Sequence, residues 1–254
     1  MSRKTSPTKS KRMKNNEAAT FWQHLDVLRW VILRSLGVAV VFAVILAPRT
    51  SAFITFQWMG VEPFSVHLMN TGLTEQFMTH MRVAMYAGLL CAAPYIIFEL
   101  FRFVSPGLYQ NERRAGLWIV TSGYLMFMLG TLLNYFLIFP LTVRFLGTYQ
   151  VSPEVENMLT LQSYTDTLIS MSLVLGVVFE LPVICAILGR MGILTSSLMT
   201  RYRRHAIVAI LIVAAIITPT TDVFTLLIVS LPIWLLYELS ILVVNLMKPS
   251  NTSN

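Results

Sequence analysis

Residues 115–143 run for 29 positions without a charged side chain. As a helix rising 1.5 Å per residue this stretch reaches about 44 Å, more than the roughly 30 Å hydrocarbon core of a bilayer. In hydrocarbon every backbone N–H and C=O must find its partner within the protein, so only helices and closed barrels can span. Five further stretches repeat the pattern. Residues 30–47 carry only Arg34, residues 83–98 and 206–221 carry no charge, residues 167–189 carry only Glu180, and residues 223–247 carry only Glu238. None alternates with the period of two that marks a membrane β-barrel strand. The chain therefore reads as an all-α integral membrane protein with six transmembrane helices. Composition agrees: 56% of residues are hydrophobic and 12% charged, where soluble domains carry about 25% charged residues. That excludes an ordinary soluble globule and a disordered chain.

The last two spans are predicted to be short. Residues 206–221 number 16, about 24 Å of helix, and only 15 residues, Val223 through Tyr237, precede Glu238. The polar break Thr218-Pro219-Thr220-Thr221-Asp222 joins them as a hairpin. A hairpin of that length either thins the bilayer or stops short of one face; a tilted hairpin with snorkelling ends is the plainer alternative.

Orientation follows from the cations, which gather in cytoplasmic loops. Of 19 Lys and Arg, 16 fall on the side of the two termini and three on the other. Both termini are thus predicted to be cytoplasmic. Residues 1–18, rich in Lys, Ser, Thr and Asn, read as a disordered basic tail near anionic lipid rather than a cleavable signal or a nucleic-acid arm. Residues 19–247 form the six-helix domain, and residues 248–254 a short cytoplasmic tail.

No catalytic constellation is visible. His24, His67, His80 and His205 stand apart with no HExxH spacing, and there is no GxSxG or Walker sequence. No enzyme activity, metal or cofactor is expected. Cys91 and Cys185 lie within apolar spans and read as small hydrophobes rather than a disulfide.

The informative residues are acids in apolar surroundings. Glu180 lies mid-span in Phe179-Glu180-Leu181-Pro182, where a carboxylate must face protein or a wet cavity. It is either a polar contact for a passenger or partner helix or an interhelical hydrogen bond that builds the fold. Gly176 and Pro182 predict a bend around a concavity there. Asp222, at the tip of the hairpin, is placed to cap the last helix. Glu99 and Glu238, at span ends, are expected to be solvated or paired with Arg102 and Lys248. Between the second and third spans, Ser105-Pro106-Gly107 stops a helix. Phe103, Leu108 and Tyr109 are held at the membrane surface, and Glu112 precedes Arg113 and Arg114. From composition this is either a capped turn with an internal Glu–Arg pair or a carboxylate ready to receive a guanidinium bidentately.

Taken in order, these segments resemble the TatC family, the multispanning subunit of the twin-arginine protein translocase. Phe21-Trp22-Gln23-His24-Leu25-Asp26-Val27-Leu28-Arg29 is similar to the family's F-x-x-H-L-x-E-L-R. The likeness continues through Ala93-Pro94-Tyr95-Ile96, the 103–114 turn and Phe179-Glu180-Leu181-Pro182. It goes on through Met191-Gly192-Ile193, Arg201-Tyr202-Arg203-Arg204 and Thr218-Pro219 with Asp222-Val223-Phe224, to Pro232 and Leu236-Tyr237-Glu238. It covers roughly residues 21–245. Three positions depart: Val27 stands where the family has Glu, with Asp26 beside it; the 218–222 loop is one residue longer than T-P-P-D; and Leu226 stands where a polar residue is frequent.

The resemblance implies a concave, glove-like bundle in the bacterial cytoplasmic (inner) membrane. It implies a receptor for the twin-arginine signal peptides of folded cargo. Glu112 would receive the arginine pair, with Phe103, Leu108, Tyr109, Arg113, Arg114 and Arg29 lining or supporting the site. Glu180 would be the intramembrane polar site. Thr218, Pro219, Asp222 and the last two helices would dock single-span partners of the TatA/TatB type. Assembly as a homo-oligomer within the translocase and use of the proton gradient are implied as well. The competing reading from the residues is a proton-coupled secondary transporter with Glu180 as relay.

Overall fold

A computed structural model describes residues 9–49, 68–104, 113–149, 159–218 and 222–246, and side chains within 26–49, 68–103, 118–149, 159–218 and 222–246. It is helical throughout. The helices are α1 (Lys9–Leu46), α2 (Glu75–Val104), α3 (Arg113–Leu133), α4 (Phe139–Thr148), α5 (Leu161–Val178), α6 (Leu181–Arg190), α7 (Ser196–Arg201), α8 (Arg203–Ile217) and α9 (Val223–Leu246). Two residue pairs add a minimal parallel ladder, Leu68 with Leu159 and Met69 with Thr160. α1 starts at Lys9, ahead of the boundary expected at residue 19.

Among the described residues, five helical segments are long and apolar enough to cross a membrane: Asp26–Arg49, Glu75–Phe103, Trp118–Thr148, Leu161–Arg190 and Val223–Leu246. The remaining apolar helix, α8, has 15 residues, about 22 Å. The expectation that the last two helices are both short holds only for α8. α9 runs 24 residues, unbroken through Pro232 and Glu238. A charged side chain does not end a helix, because the backbone ladder continues beneath it; Glu238 instead turns aside to meet Arg203 at 2.6 Å.

Two spans are built from broken helices. α3 passes through a π turn (Asn134–Ile138) into α4, where Pro140 sits at the first helical positions. The widened turn accommodates a residue that has no N–H to give and would crowd the preceding carbonyl. Likewise α5 gives way to α6 at Phe179-Glu180, just before Pro182. The interruption falls where Gly176 and Pro182 predict a bend.

The largest core joins α4, α5, α8 and α9 through Phe139, Met171, Leu175, Ala214, Val229 and Ile233. Elsewhere the helices approach over glycine. A Cβ at Gly88 would lie 2.5 Å from both Ala39 O and Ala43 N, so α1 and α2 touch backbone to backbone. Gly130 makes room for the Phe179 side chain and Leu175 O, and Gly176 for the Phe127 ring. Small residues at helix crossings suit a membrane bundle, where tight packing replaces the hydrophobic drive between helices. Large apolar side chains such as Val44, Ile45, Leu137 and Ile216 point outward, which is stable against lipid and not against water.

Candidate functional site

The C-terminal end of α2 and the facing part of α1 enclose a cleft of about 350 Å³ lined by Asp26, Val27, Trp30, Val31, Arg34, Glu99, Arg102 and Phe103. Helical spacing explains the lining. Asp26, Trp30 and Arg34 follow one another at four-residue steps on α1, and Glu99, Arg102 and Phe103 at three- and four-residue steps on α2, so each set shares a face. Of the residues singled out from sequence, Phe103 lies in this cleft. Arg29 is exposed on α1 near it but is not part of the lining. Leu108, Tyr109 and Glu112 lie outside the described residues, as do the side chains of Arg113 and Arg114. Their positions follow α2 directly in the chain.

Glu99 corrects an expectation. Rather than being solvated or paired with Arg102, it is only 6% exposed. Its Oε1 accepts a hydrogen bond from the Tyr95 hydroxyl at 3.1 Å. The four-residue spacing brings Tyr95 and Glu99 together on one face of α2, and the packing of α1 beside that face leaves Tyr95 half-buried and Glu99 buried. Glu238 pairs with Arg203; Lys248, its other expected partner, lies outside the described residues.

Glu180 sits in the α5–α6 break, its backbone carbonyl accepting from Ile184 N at 3.0 Å. Its carboxylate fills the gap left by Gly123 on α3. A Cβ there would stand 3.1 Å from both Glu180 Oε2 and Ile97 Cγ2 of α2. Among the described residues Oε1 is buried and has no hydrogen-bond partner. The carboxylate lies between α2 and α3, against Gly123.

At the α8–α9 hairpin, Asp222 does what its position predicts: its Oδ1 accepts from Thr225 N at 2.8 Å, capping α9. Thr218 is buried and returns its hydroxyl to Ala214 O at 3.0 Å. Pro219 lies outside the described residues. Thr225 is fully buried, and its hydroxyl has no partner among the described residues.

Two polar features escaped the sequence reading. Glu75, 5% exposed at the start of α2, accepts from Thr71 N at 2.7 Å, Thr71 Oγ1 at 3.0 Å, Gly72 N at 3.1 Å and Gln162 N at 2.8 Å. It ties the approach to α2 to the first turn of α5, beside the Leu68–Leu159 ladder. A Thr-Gly turn just ahead of an acidic helix start was the available signal. Asn134, fully buried in the π turn, donates to Ser172 Oγ at 2.7 Å. An amide inside a 29-residue uncharged run was its signal. Arg82 on α2 and Asp166 on α5 form a half-exposed ion pair, worth little by itself in water. Among the described residues no group of three or more His, Cys, Asp or Glu gathers to hold a metal.

Comparison with known proteins gives one answer. The family described as Sec-independent protein translocase protein (TatC) matches residues 23–232. A Sec-independent protein translocase protein TatC of Carboxydothermus hydrogenoformans is 31% identical over 237 residues, 92% of this chain and 96% of that one. A relative of the same description from Koribacter versatilis is 39% identical over 178 residues, 70% of this chain and 65% of that one. A crystal structure of the twin arginine translocase receptor TatC superimposes with a TM-score of 0.74 at 28% identity, covering 87% of this chain and 97% of that one.

Proposed function

The chain belongs to the TatC family of Sec-independent protein translocase proteins, and on that premise we propose that it is the subunit that binds twin-arginine signal peptides. It is a membrane-spanning translocase component and not an enzyme. The proton-coupled transporter reading is not favoured, since the matching relatives and structures are translocase proteins.

The observation that carries the reading is the α1–α2 cleft. It joins the Asp26-Val27 end of the N-terminal motif to Phe103, from which the chain leads within nine residues to Glu112. An aromatic wall beside carboxylates at a membrane surface suits an arginine followed by an apolar segment. The planar guanidinium binds a carboxylate bidentately and stacks on rings, which a lysine cannot reproduce. In this reading Glu112 receives the arginine pair, and Phe103, Leu108, Tyr109, Arg113, Arg114 and Arg29 line or support the site. The apolar part of the signal then passes toward Glu180 inside a concave, glove-like bundle.

The same reading gives six spans in the bacterial cytoplasmic membrane, with α8 as a short one and both termini cytoplasmic. The 16-to-3 division of cations supports that orientation. Residues 1–18 and 248–254 are then cytoplasmic tails flanking the domain of residues 19–247. Thr218, Pro219, Asp222 and the last two helices serve as the docking surface for TatA/TatB-type single-span proteins. Copies of the chain assemble together in the translocase, and the proton gradient drives export of folded cargo. Changing Glu112→Ala is expected to abolish crosslinking to a twin-arginine signal peptide while membrane insertion stays normal. Retained crosslinking and export in that variant would refute the site.

A further inference from the structure

α7 and the last turns of α9 enclose a cavity of about 520 Å³ where α9 reaches the end of its span. α7 contributes Ser197, Thr200 and Arg201, which share a face at three- and four-residue spacing. α9 contributes Ile241, Leu242 and Asn245, spaced alike. Buried Ser196 joins the two helices, its hydroxyl donating to Asn245 Oδ1 at 3.2 Å. That bond fixes the amide, with Oδ1 engaged and the two hydrogens of Nδ2 left to give. Among the described residues Asn245 makes no other side-chain hydrogen bond, and exposed Arg201 makes no ion pair. Thr200 turns its hydroxyl back to Ser196 O at 2.8 Å, and the Ser197 hydroxyl meets Thr195 Oγ1 at 3.2 Å.

The cavity wall holds a cation and donors but no acid. None stands between Arg190 and Ile217, a stretch with four arginines. The one acid of α9, Glu238, is engaged by Arg203 at 2.6 Å. Such a wall complements a phosphate and not an ammonium. An apolar track leads away from it. Leu235, Leu239, Leu242 and Leu246 follow one another at three- and four-residue steps along α9, and all are exposed. Leu242 belongs to both track and cavity. A water-soluble anion would use the donors and ignore the leucines. A glycerophospholipid uses both, with its phosphate at the donors and an acyl chain along the leucines. An ethanolamine headgroup brings an ammonium to a wall with no carboxylate to receive it, whereas a glycerol headgroup brings hydroxyls that suit Ser197 and Thr200.

We propose that this cavity binds one anionic phospholipid of the phosphatidylglycerol type, its phosphate held by Arg201 and Asn245 and an acyl chain laid along Leu242, Leu239 and Leu235. Basic pockets between membrane helices hold anionic headgroups in this manner. The assignment is independent of the signal-peptide reading. The test uses the full chain in mild detergent, titrated with dioleoyl phosphatidylglycerol or dioleoyl phosphatidylethanolamine, with bound lipid counted by native mass spectrometry. One phosphatidylglycerol should be retained in preference to phosphatidylethanolamine. Arg201→Gln is expected to weaken its binding roughly tenfold or more, the size of one charge-assisted contact, and Arg201→Lys to keep part of it. Arg204→Gln removes the same charge from an exposed position on α8 outside the cavity and should leave binding unchanged. Unchanged affinity in Arg201→Gln, or equal losses in Arg201→Gln and Arg204→Gln, would overturn the proposal, the second by showing diffuse attraction. Equal retention of the two lipids would overturn it as well. So would displacement of the lipid by inorganic phosphate or a soluble Glu-rich peptide at matching concentration, which would make the cavity a site for water-soluble anions. A loss in Arg201→Gln with a shifted unfolding curve and no recovery in Arg201→Lys would make Arg201 a structural residue and also overturn it.

Discussion

Glu75 is the most sharply testable element of the fold. Its two carboxylate oxygens divide the work. Oε2 gathers Thr71 N, Thr71 Oγ1 and Gly72 N, while Oε1 alone reaches across to Gln162 N at the start of α5. Hydrogen bonds to a charged group contribute about 1.5–3 kcal/mol each, and a buried donor left unpaired carries its own desolvation cost. Glu75→Gln keeps the volume but turns one oxygen into an amide nitrogen, which cannot accept. The cheaper arrangement sacrifices the single Oε1 bond and keeps the three on Oε2. The expected cost is therefore that of one charge-assisted bond plus one orphaned N–H, about 2–3 kcal/mol. Glu75→Ala removes all four. Water reaches the Thr71–Gly72 turn once the side chain is gone, so the bonds do not sum, and a cost of about 3–5 kcal/mol is expected. Unfolding titrations in mixed micelles measure both values. Labelling of Cys185 by a thiol-reactive dye in a Cys91→Ala background reports the transition, since Cys185 is partly buried and Cys91 exposed. Hydrogen exchange supplies the local readout. In Glu75→Gln the Gln162 amide should exchange faster while the Thr71 and Gly72 amides hold; in Glu75→Ala all three should exchange faster. A Glu75→Gln protein within about 0.5 kcal/mol of the parent, with Gln162 still protected, would refute this account of the clamp.

Two further outcomes follow from the packing. Gly88→Ala places a methyl 2.5 Å from two backbone atoms of α1, which cannot swing aside as a side chain can. A loss of about 1–3 kcal/mol is expected in the same titration, and an unchanged curve would mean that α1 and α2 do not meet there. Inserting four Leu into the 206–217 stretch lengthens α8 from 15 residues to a helix of about 28 Å. Export by otherwise normally inserted protein should then fall if the short helix thins the bilayer, and export at the parent rate would count against thinning.

The amino-acid sequence by itself determined the parts of this protein that depend on local solvent and local backbone. Charge-free runs become helices because hydrocarbon leaves a backbone no other partner. Phe179-Glu180-Leu181-Pro182 breaks a helix because proline disrupts the preceding ladder, and Asp222 caps one because its side chain reaches an N–H three residues on. These signals act over a few residues and are legible without a fold. What tertiary structure alone decided is which faces of distant helices meet. A carboxylate at a span end looks solvated until α1 is laid across it, as with Glu99. Glu238 pairs with Arg203, on the adjacent helix, 35 residues away. The donors of Glu75 include one 87 residues distant, and Gly88 is readable as a contact only beside Ala39 and Ala43. Partners separated by whole spans leave no periodic trace in either segment. The membrane helices could therefore be read directly from the chain, whereas the cleft between two of them required their packing.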